Sequence, residues 1–398
     1  GPRSETIAEL GDKLSARVIA EEAKVPLVPG TTEPISLDKV QAAAQGIGFP
    51  LLLKATGGGG GKGIRVVERA EELEASLQRA QGEAASAFGT SDVYLERFVS
   101  PARHIEIQIL GDGEGDAIHL GERECSLQRR QQKVVEESPS PTLTPELRER
   151  MGAAAASLAK RVSYRGAGTV EFLVDGKGEF YFLEVNARLQ VEHPVTEWCT
   201  GFDLVQAQFH IAETGTLPFT QEDWQPRGHA IELRVNAEDP FGGFTPSIGR
   251  ITGLSIPHGP FVRVDTALQE GEEVSPHYDS MLAKLTVWGR TREEALARWA
   301  AAARAFSLGG LSSTLSLVER LVADPEFRAG EFHTRWLVPW VEAQSVTPEL
   351  SAEETGFAAV AAALAAQARS ASQPVATQAA GGSGLRPWVM VGRRERLG

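Results

Sequence analysis

The chain has 398 residues, room for two or three domains at about 100–200 residues each and for sizeable buried cores. With 42% hydrophobic and 23% charged side chains it has the profile of a folded globular protein. No apolar run approaches the ~18 residues of a membrane-spanning helix, and collagen-like, mucin-like and generally disordered chains are excluded as well. Its 40 basic and 53 acidic side chains leave a net charge of −13. That argues against a nucleic-acid partner, which would call for a basic surplus, but a pocket on an acidic protein can still be locally positive and take a small anion. Two cysteines, Cys125 and Cys199, are too few for a disulfide framework, so the expected compartment is a reducing one, the cytoplasm. The start, Gly1-Pro2-Arg3-Ser4, has neither an initiator Met nor an apolar signal region, and the expectation is a piece of a longer protein.

In chain order, Ile7, Leu10, Leu14 and Val18 fall at helical spacing and predict one helix over 4–24, with Ser4 as candidate cap and Pro26 and Pro29-Gly30 as the stop. A second helix is predicted over 36–47. Pro50–Ala55 and Ile64–Val67 read as short strands on either side of a glycine run, and 70–88 as a helix. Val93–Val99 and His104–Leu110 alternate like half-buried strands. An Ala-rich helix is expected over 144–162. Gly168–Val174 and Glu179–Asn186 then form two strands around Gly176-Lys177, a hairpin signal. The mixture predicts an α+β domain over 1–215, with a glycine-rich lobe at about 30–95. A mainly β second domain is predicted over 229–338, closed by helices at 291–306 and 312–323. Residues 345–398 read as an Ala-rich helix at 349–369, a Ser/Ala/Gln/Gly linker at 370–385 and the start of a further region.

The loudest local signal is Lys54-Ala-Thr-Gly-Gly-Gly-Gly-Gly-Lys-Gly63. Glycines without Cβ atoms leave backbone N–H groups free to wrap phosphate oxygens, and Lys54 and Lys62 add positive charge. A Walker A loop would need Ser or Thr after Lys62, where Gly63 stands. Gly58, Gly60 and Gly63 match the dinucleotide fingerprint literally, but that fingerprint opens a helix, and Ile64–Val67 reads as strand. A flap between two antiparallel strands, closing over a nucleotide, fits better; a flexible hairpin tip is the alternative. Further on, a hairpin symmetric about Gly176-Lys177 would set residue 171 opposite residue 182 and put Glu171, Glu184 and Asn186 on one face. Two carboxylates and an amide suit Mg²⁺ or Mn²⁺ bridging phosphates. Arg188 could hold a small oxyanion beside Glu192 as a base, although surface salt bridges have the same spacing.

Taken in order, Gly-Asp-Lys13, Lys54 with its glycine loop, Arg103–Gln108, Ser126–Lys133, Gly168–Phe172, Glu184–Pro194, His229–Asp239 and Tyr278–Lys284 resemble the biotin carboxylase component of biotin-dependent carboxylases, a member of the ATP-grasp superfamily, over about residues 1–340. The resemblance implies an ATP-grasp fold followed by a biotin carboxylase C-terminal domain. It implies an ATP-dependent carbon–nitrogen ligase that forms carboxyphosphate from ATP and bicarbonate and then carboxylates N1′ of biotin. By that resemblance Lys13, Lys54, Gly60, Gly61, Glu96, Arg97, Val99, His104 and Gln128 correspond to ATP positions, and Gln131 stands where a His often contacts ribose. Glu171, Glu184 and Asn186 correspond to ligands of Mg²⁺ or Mn²⁺. Lys133, Arg188, Gln190 and Val191 correspond to the bicarbonate site, Glu192 to the base that deprotonates bicarbonate, and Arg234 to the residue that stabilises the ureido oxygen of biotin. Without the resemblance, Arg234 would read as a strand salt bridge with Glu232 or Glu238.

The family usually begins with a further α/β domain, upstream of Gly1. No Met-Lys-Met biotin-attachment motif occurs among the methionines Met151, Met281 and Met390. The expected partners are therefore a biotin carboxyl carrier domain and a carboxyltransferase, with a homo-oligomer for the complete protein. The alternatives are another ATP-grasp ligase, such as a carbamoyl-phosphate synthase, and a non-catalytic ATP-binding fragment.

Overall fold

The N-terminal apolar stripe folds as two helices, α1 (Ser4–Gly11) and α2 (Lys13–Glu22), where its spacing predicts one. The break is chemical. Asp12 is extended, and its carboxylate accepts the Ser15 N–H at 2.7 Å, capping α2. Ser4 does not cap; the residue before α1 is Arg3, which makes no capping bond. The computed structural model describes residues 1–57, 63–344 and 352–371.

Next comes a small lobe. Helix α3 (Val40–Ile47) starts four residues later than predicted, after a turn at 37–39. Strands β1 (Leu51–Ala55), β2 (Ile64–Val67) and β3 (Val93–Arg97) form an antiparallel sheet in the order β2-β1-β3. Helix α4 (Leu73–Phe88) follows a 3₁₀ turn at Ala70–Glu72. Leu51, Leu53, Val67, Leu73, Leu77, Val93 and Leu95 make the lobe's core. Lys54 pairs with Ile64 across β1 and β2, so the glycine run does join two antiparallel strands. Gly58 to Lys62, with Gly60 and Gly61, lie outside the described residues.

The main sheet has eight antiparallel strands: Val262–Thr266, Met281–Gly289, β9 (His229–Asn236), β6 (Gln132–Ser138), β5 (Ala117–Arg129), β4 (Ala102–Asp112), β7 (Arg165–Asp175) and β8 (Phe180–Asn186), in that spatial order. Strands from both sides of 215–229 thus share one sheet. Arg130 and Gln131 join β5 to β6 with φ of 49° and 65°, the two-residue turn whose twist suits a hairpin.

At the β7–β8 hairpin the predicted register is one residue out. Phe172, not Glu171, faces Phe182. An irregularity between Glu171 and Phe172 pairing then sets Glu171 opposite Glu184 and Thr169 opposite Asn186. The slip alone would have moved Glu184 to the other face; the bulge restores it.

Helices α1, α2 and α5 (Pro145–Arg161) cover one side through Leu10, Ala20, Met151, Leu158, Ile107 and Phe172. On the later strands Ile231, Leu233, Val235, Leu285 and Val287 pack against α6 (Arg292–Ala305) and its Trp299. Thr291 caps α6 as a hydroxyl acceptor for the Glu294 N–H. The predicted 312–323 helix is a 3₁₀ turn, Thr314–Leu317, followed by Val318–Ala323. Residues 1–345 form one unit. Separately, Ala352–Ala371 is a helix that exposes Phe357, Val360 and Leu364; the predicted linker from 372 onward and the last segment lie outside the described residues. Among the described residues no helix is long and apolar enough to cross a membrane.

Candidate active site

A cavity of about 470 Å³ lies between β1–β2 and the polar face of the main sheet. Its wall holds Lys13, Lys54, Val99, His104, Gln128, Gln131, Lys133, Glu171, Glu184, Asn186, Arg188, Gln190, Val191, Glu192 and Arg234. Of the described residues that the resemblance assigns to the site, Glu96 and Arg97 alone are not in that wall. A second, larger cavity of about 890 Å³ between α5 and residues 216–222 holds none of them.

The centre of the site is built by period-two alternation on β4. His104, Glu106 and Gln108 share a face, and Glu106 pairs with Glu171 on β7. Lys133 at the start of β6 places its ammonium on three carboxylates: Glu106, Glu171 at 3.0 Å and Glu192 at 2.6 Å. Burial pushes this ammonium's pKa down, but Glu106 and Glu171 overcome that and hold it well above the ordinary lysine value. Arg123 lies beneath, wholly buried, with every N–H used: by Glu106, Gln108 at 2.7 Å, Thr196 at 2.9 Å, Thr169 at 3.0 Å and Gln190 at 3.1 Å. Burial pushes the Glu106 carboxyl up, yet Arg123 and Lys133 bring it down to about 2.

Toward the hairpin, Glu171 also accepts from Asn186 at 2.9 Å and Gln190 at 3.0 Å, and lies 2.9 Å from His104 Nε2. Burial opposes its ionisation, but Lys133 and His104 hold its carboxyl well below the usual range. The Glu184 side chain, directly opposite, makes no hydrogen bond or ion pair with any described residue. Burial and the charge on Glu171 push its pKa up. Two facing carboxylates, one of them unpartnered, with the amide of Asn186 alongside, form an oxygen donor set that fits a divalent cation such as Mg²⁺ or Mn²⁺.

On the nucleotide side, Lys54 pairs with Glu96, which also takes Arg17 at 2.5 Å. Glu96 therefore acts on the cavity through Lys54. Lys13, at the first turn of α2, reaches the Ala55 carbonyl at 3.4 Å, and burial and Lys54 push its pKa down. Gln128 bonds His104 Nδ1 at 2.7 Å and the Cys125 carbonyl at 2.7 Å. Arg97 turns to Tyr181 at 3.5 Å. At the other end, Arg188 is exposed and bonds Asn186 at 3.2 Å. The Val191 carbonyl accepts from Lys284 at 2.9 Å. Arg234 on β9 gives Nε to Glu136 at 2.7 Å and Nη2 to Glu192 at 2.9 Å. Glu232 and Glu238, the local partners Arg234 would be given without the resemblance, are not the ones it uses.

Sequence reasoning missed Glu106, Arg123 and Glu136. Glu106 lies in the alternating stretch His104-Ile-Glu-Ile-Gln108, and its spacing was the available signal. The charged run Glu122-Arg-Glu124 is buried, where a run of that kind normally faces water.

Residues 12–220 match the family "Carbamoyl-phosphate synthase L chain, ATP binding domain", and residues 232–338 the "Biotin carboxylase C-terminal domain". A pyruvate carboxylase subunit from Methanothermobacter thermautotrophicus is 46% identical over 85% of this chain and 69% of that protein. Biotin carboxylase 1 of Bacillus subtilis is 47% identical over 85% of this chain and 75% of that protein. The biotin carboxylase domain dimer of Hydrogenobacter thermophilus 2-oxoglutarate carboxylase, solved with MgADP, ADP and bicarbonate, superposes with a TM-score of 0.82 at 45% identity, covering 86% of this chain and 76% of that one. With both halves matched and the fold shared, the chain belongs to the biotin carboxylase family of ATP-grasp, ATP-dependent ligases.

Proposed function

We propose that this chain uses MgATP to activate bicarbonate as carboxyphosphate and carboxylates N1′ of biotin borne on a carrier domain. The observation that carries the reading is the single cavity that gathers Lys54, the Glu171–Glu184 pair, Lys133, Glu192 and Arg234. ATP would lie between the glycine flap and Lys13, Lys54, His104 and Gln128. Glu171, Glu184 and Asn186 would hold Mg²⁺ or Mn²⁺, which when bound offsets phosphate charge. Arg188, with Gln190 and the Val191 backbone, would hold bicarbonate, whose plane suits a guanidinium fork. Glu192 is the candidate base for its proton. Lys133 places positive charge where the phosphoryl group leaves ATP. The ureido nitrogen of biotin is a poor nucleophile until its proton leaves, and Arg234 stabilises the oxygen on which charge then develops.

We further propose an acyl-CoA carboxylase as the parent enzyme, with a biotin carboxyl carrier and a carboxyltransferase as partners, a homo-oligomer, and the cytoplasm as its place. The alpha subunit of methylcrotonoyl-CoA carboxylase from Dictyostelium discoideum, a mitochondrial protein by its name and 44% identical over 85% of this chain and 48% of that protein, and the Ala-rich and Ser/Gly-rich sequence after 345 support the acyl-CoA carboxylase part of that reading. Two buried free cysteines suit a reducing compartment. The test, made in the complete protein, measures ADP release and carboxybiotin formation side by side. Arg234→Ala should lower carboxybiotin formation while bicarbonate-dependent ADP release persists; Arg188→Ala should damage both. If Arg234→Ala leaves carboxybiotin formation intact, or abolishes ATP binding, the assignment is wrong.

A further inference from the structure

Two carboxyl groups behind Arg234 have no part in the chemistry just described. Glu136 on β6 and Glu232 on β9 are direct cross-strand partners, and both side chains are wholly buried. Like charges set opposite one another destabilise a sheet, and burial raises the cost. Each group has one good bond. Glu136 Oε1 accepts Arg234 Nε at 2.7 Å, and Glu232 Oε2 accepts the Thr286 hydroxyl at 2.8 Å. The remaining oxygens, Glu136 Oε2 and Glu232 Oε1, are buried and have no hydrogen-bond partner among the described residues. Buried acceptors are almost always paired, and a protonated carboxyl is a donor, so one proton held between the facing side chains answers both orphans. Burial, opposed by Arg234, raises Glu136 to about 7; burial and the charge of Glu136 raise Glu232 to about 8.

The geometry also says what the pair does for Arg234. A guanidinium has five N–H donors in a fixed fork. Glu136 takes Nε from the sheet side and Glu192 takes Nη2, while Nη1 donates to no described residue, and the side chain lines the cavity. Holding Nε fixes the plane of the fork and turns its Nη edge toward the cavity.

We propose that Glu136 is a positioning residue for Arg234, and that Glu232 supports it by sharing one proton with it, so that the pair sets one negative charge rather than two behind a guanidinium that also holds Glu192. The inference rests on the reading that Arg234 acts on biotin.

A double-mutant cycle tests it in the purified protein, reading carboxybiotin formation against biotin concentration and, separately, bicarbonate-dependent ADP release without biotin. Glu136→Leu, which leaves Arg234 Nε without its acceptor, should raise the KM for biotin and slow carboxybiotin formation by up to on the order of 100-fold, the cost of a misplaced group, with ADP release unchanged. Added to Arg234→Ala it should cost nothing more, because the two act as a unit. Full additivity, or an equal fall in ADP release, overturns the positioning role. Should Glu136→Leu fail to fold, Glu232 carries the test. Glu232→Gln, whose amide can donate to Glu136 Oε2 in place of the proton, should keep carboxybiotin formation near that of the unsubstituted protein. Glu232→Leu, which leaves that oxygen orphaned, should lose part of it; identical behaviour of the two overturns the shared proton. If Arg234→Ala itself leaves carboxybiotin formation untouched, the proposed function fails and takes this inference with it. If Arg234→Ala acts and Glu136→Leu does not, this inference alone fails.

Discussion

Replacing Lys133 by Met should cost stability, and the structure sets the scale. The ammonium touches Glu106, Glu171 and Glu192, and removing one partner from a buried ion pair costs about 3–5 kcal/mol. None of the three is left bare. Glu106 keeps Arg123, Glu192 keeps Arg234, and Glu171 keeps His104 and two amides. The expected loss is therefore at the lower end, about 3 kcal/mol at pH 8. Its pH dependence follows from the sign of the shift. With its pKa raised, Lys133 contributes fully at all pH values below the ordinary lysine value and loses that contribution only as pH rises through the folded value. In Lys133→Met the surplus buried carboxylate takes up a proton more readily, so the deficit should shrink as pH falls from 8 to 6, while the unsubstituted protein changes little. Thermal unfolding of both proteins at pH 6, 7 and 8 without nucleotide reads this. A variant as stable as the parent at pH 8, or a deficit that grows toward pH 6, would refute the reasoning.

Glu184→Gln should weaken Mn²⁺ binding by titration yet raise the melting temperature of the metal-free protein, because it removes the charge facing Glu171; lower metal-free stability would count against the facing-carboxylate account. Glu137 is pushed up by burial but brought down to about 2 by Arg292 and His229. Its contribution is present above about pH 4.5 and is lost as pH falls from there toward 2, so Glu137→Gln should flatten the acid-unfolding curve over that interval. Gly82 in α4 is exposed with nothing near a new Cβ, so Gly82→Ala should stabilise by about 0.5–1 kcal/mol. Gly152→Ala in α5 would set a Cβ 2.5 Å from the His119 ring, and overpacking of about 1–3 kcal/mol should outweigh the same helix gain; melting temperatures that shift in the same direction would contradict this.

What sequence could reveal was set by the range of the interaction. The strands flanking the glycines, the β7–β8 hairpin and α5 are local, and their residue types announce them. Glu171, Glu184 and Asn186 share a face as expected, through a one-residue slip and a compensating bulge that no periodicity encodes. The partners of Arg234 were out of reach because β6 lies beside β9 only in the folded sheet, placing Glu136 98 positions away in sequence. Asp12 was hidden by a stripe that continues on both sides of it. Glu106 was passed over because a polar residue at every second position of a strand normally faces water, and here both faces of β4 are covered.

The central claim is that one cavity couples ATP to bicarbonate and then to biotin. Labelled bicarbonate supplied with MgATP and biotin tests it most directly, with ADP and labelled carboxybiotin quantified together. The account predicts ADP release that requires bicarbonate and rises with biotin, and label in carboxybiotin that appears with it and is lost in Arg234→Ala. ADP release indifferent to bicarbonate, or label that never reaches biotin while ATP is consumed, would contradict it.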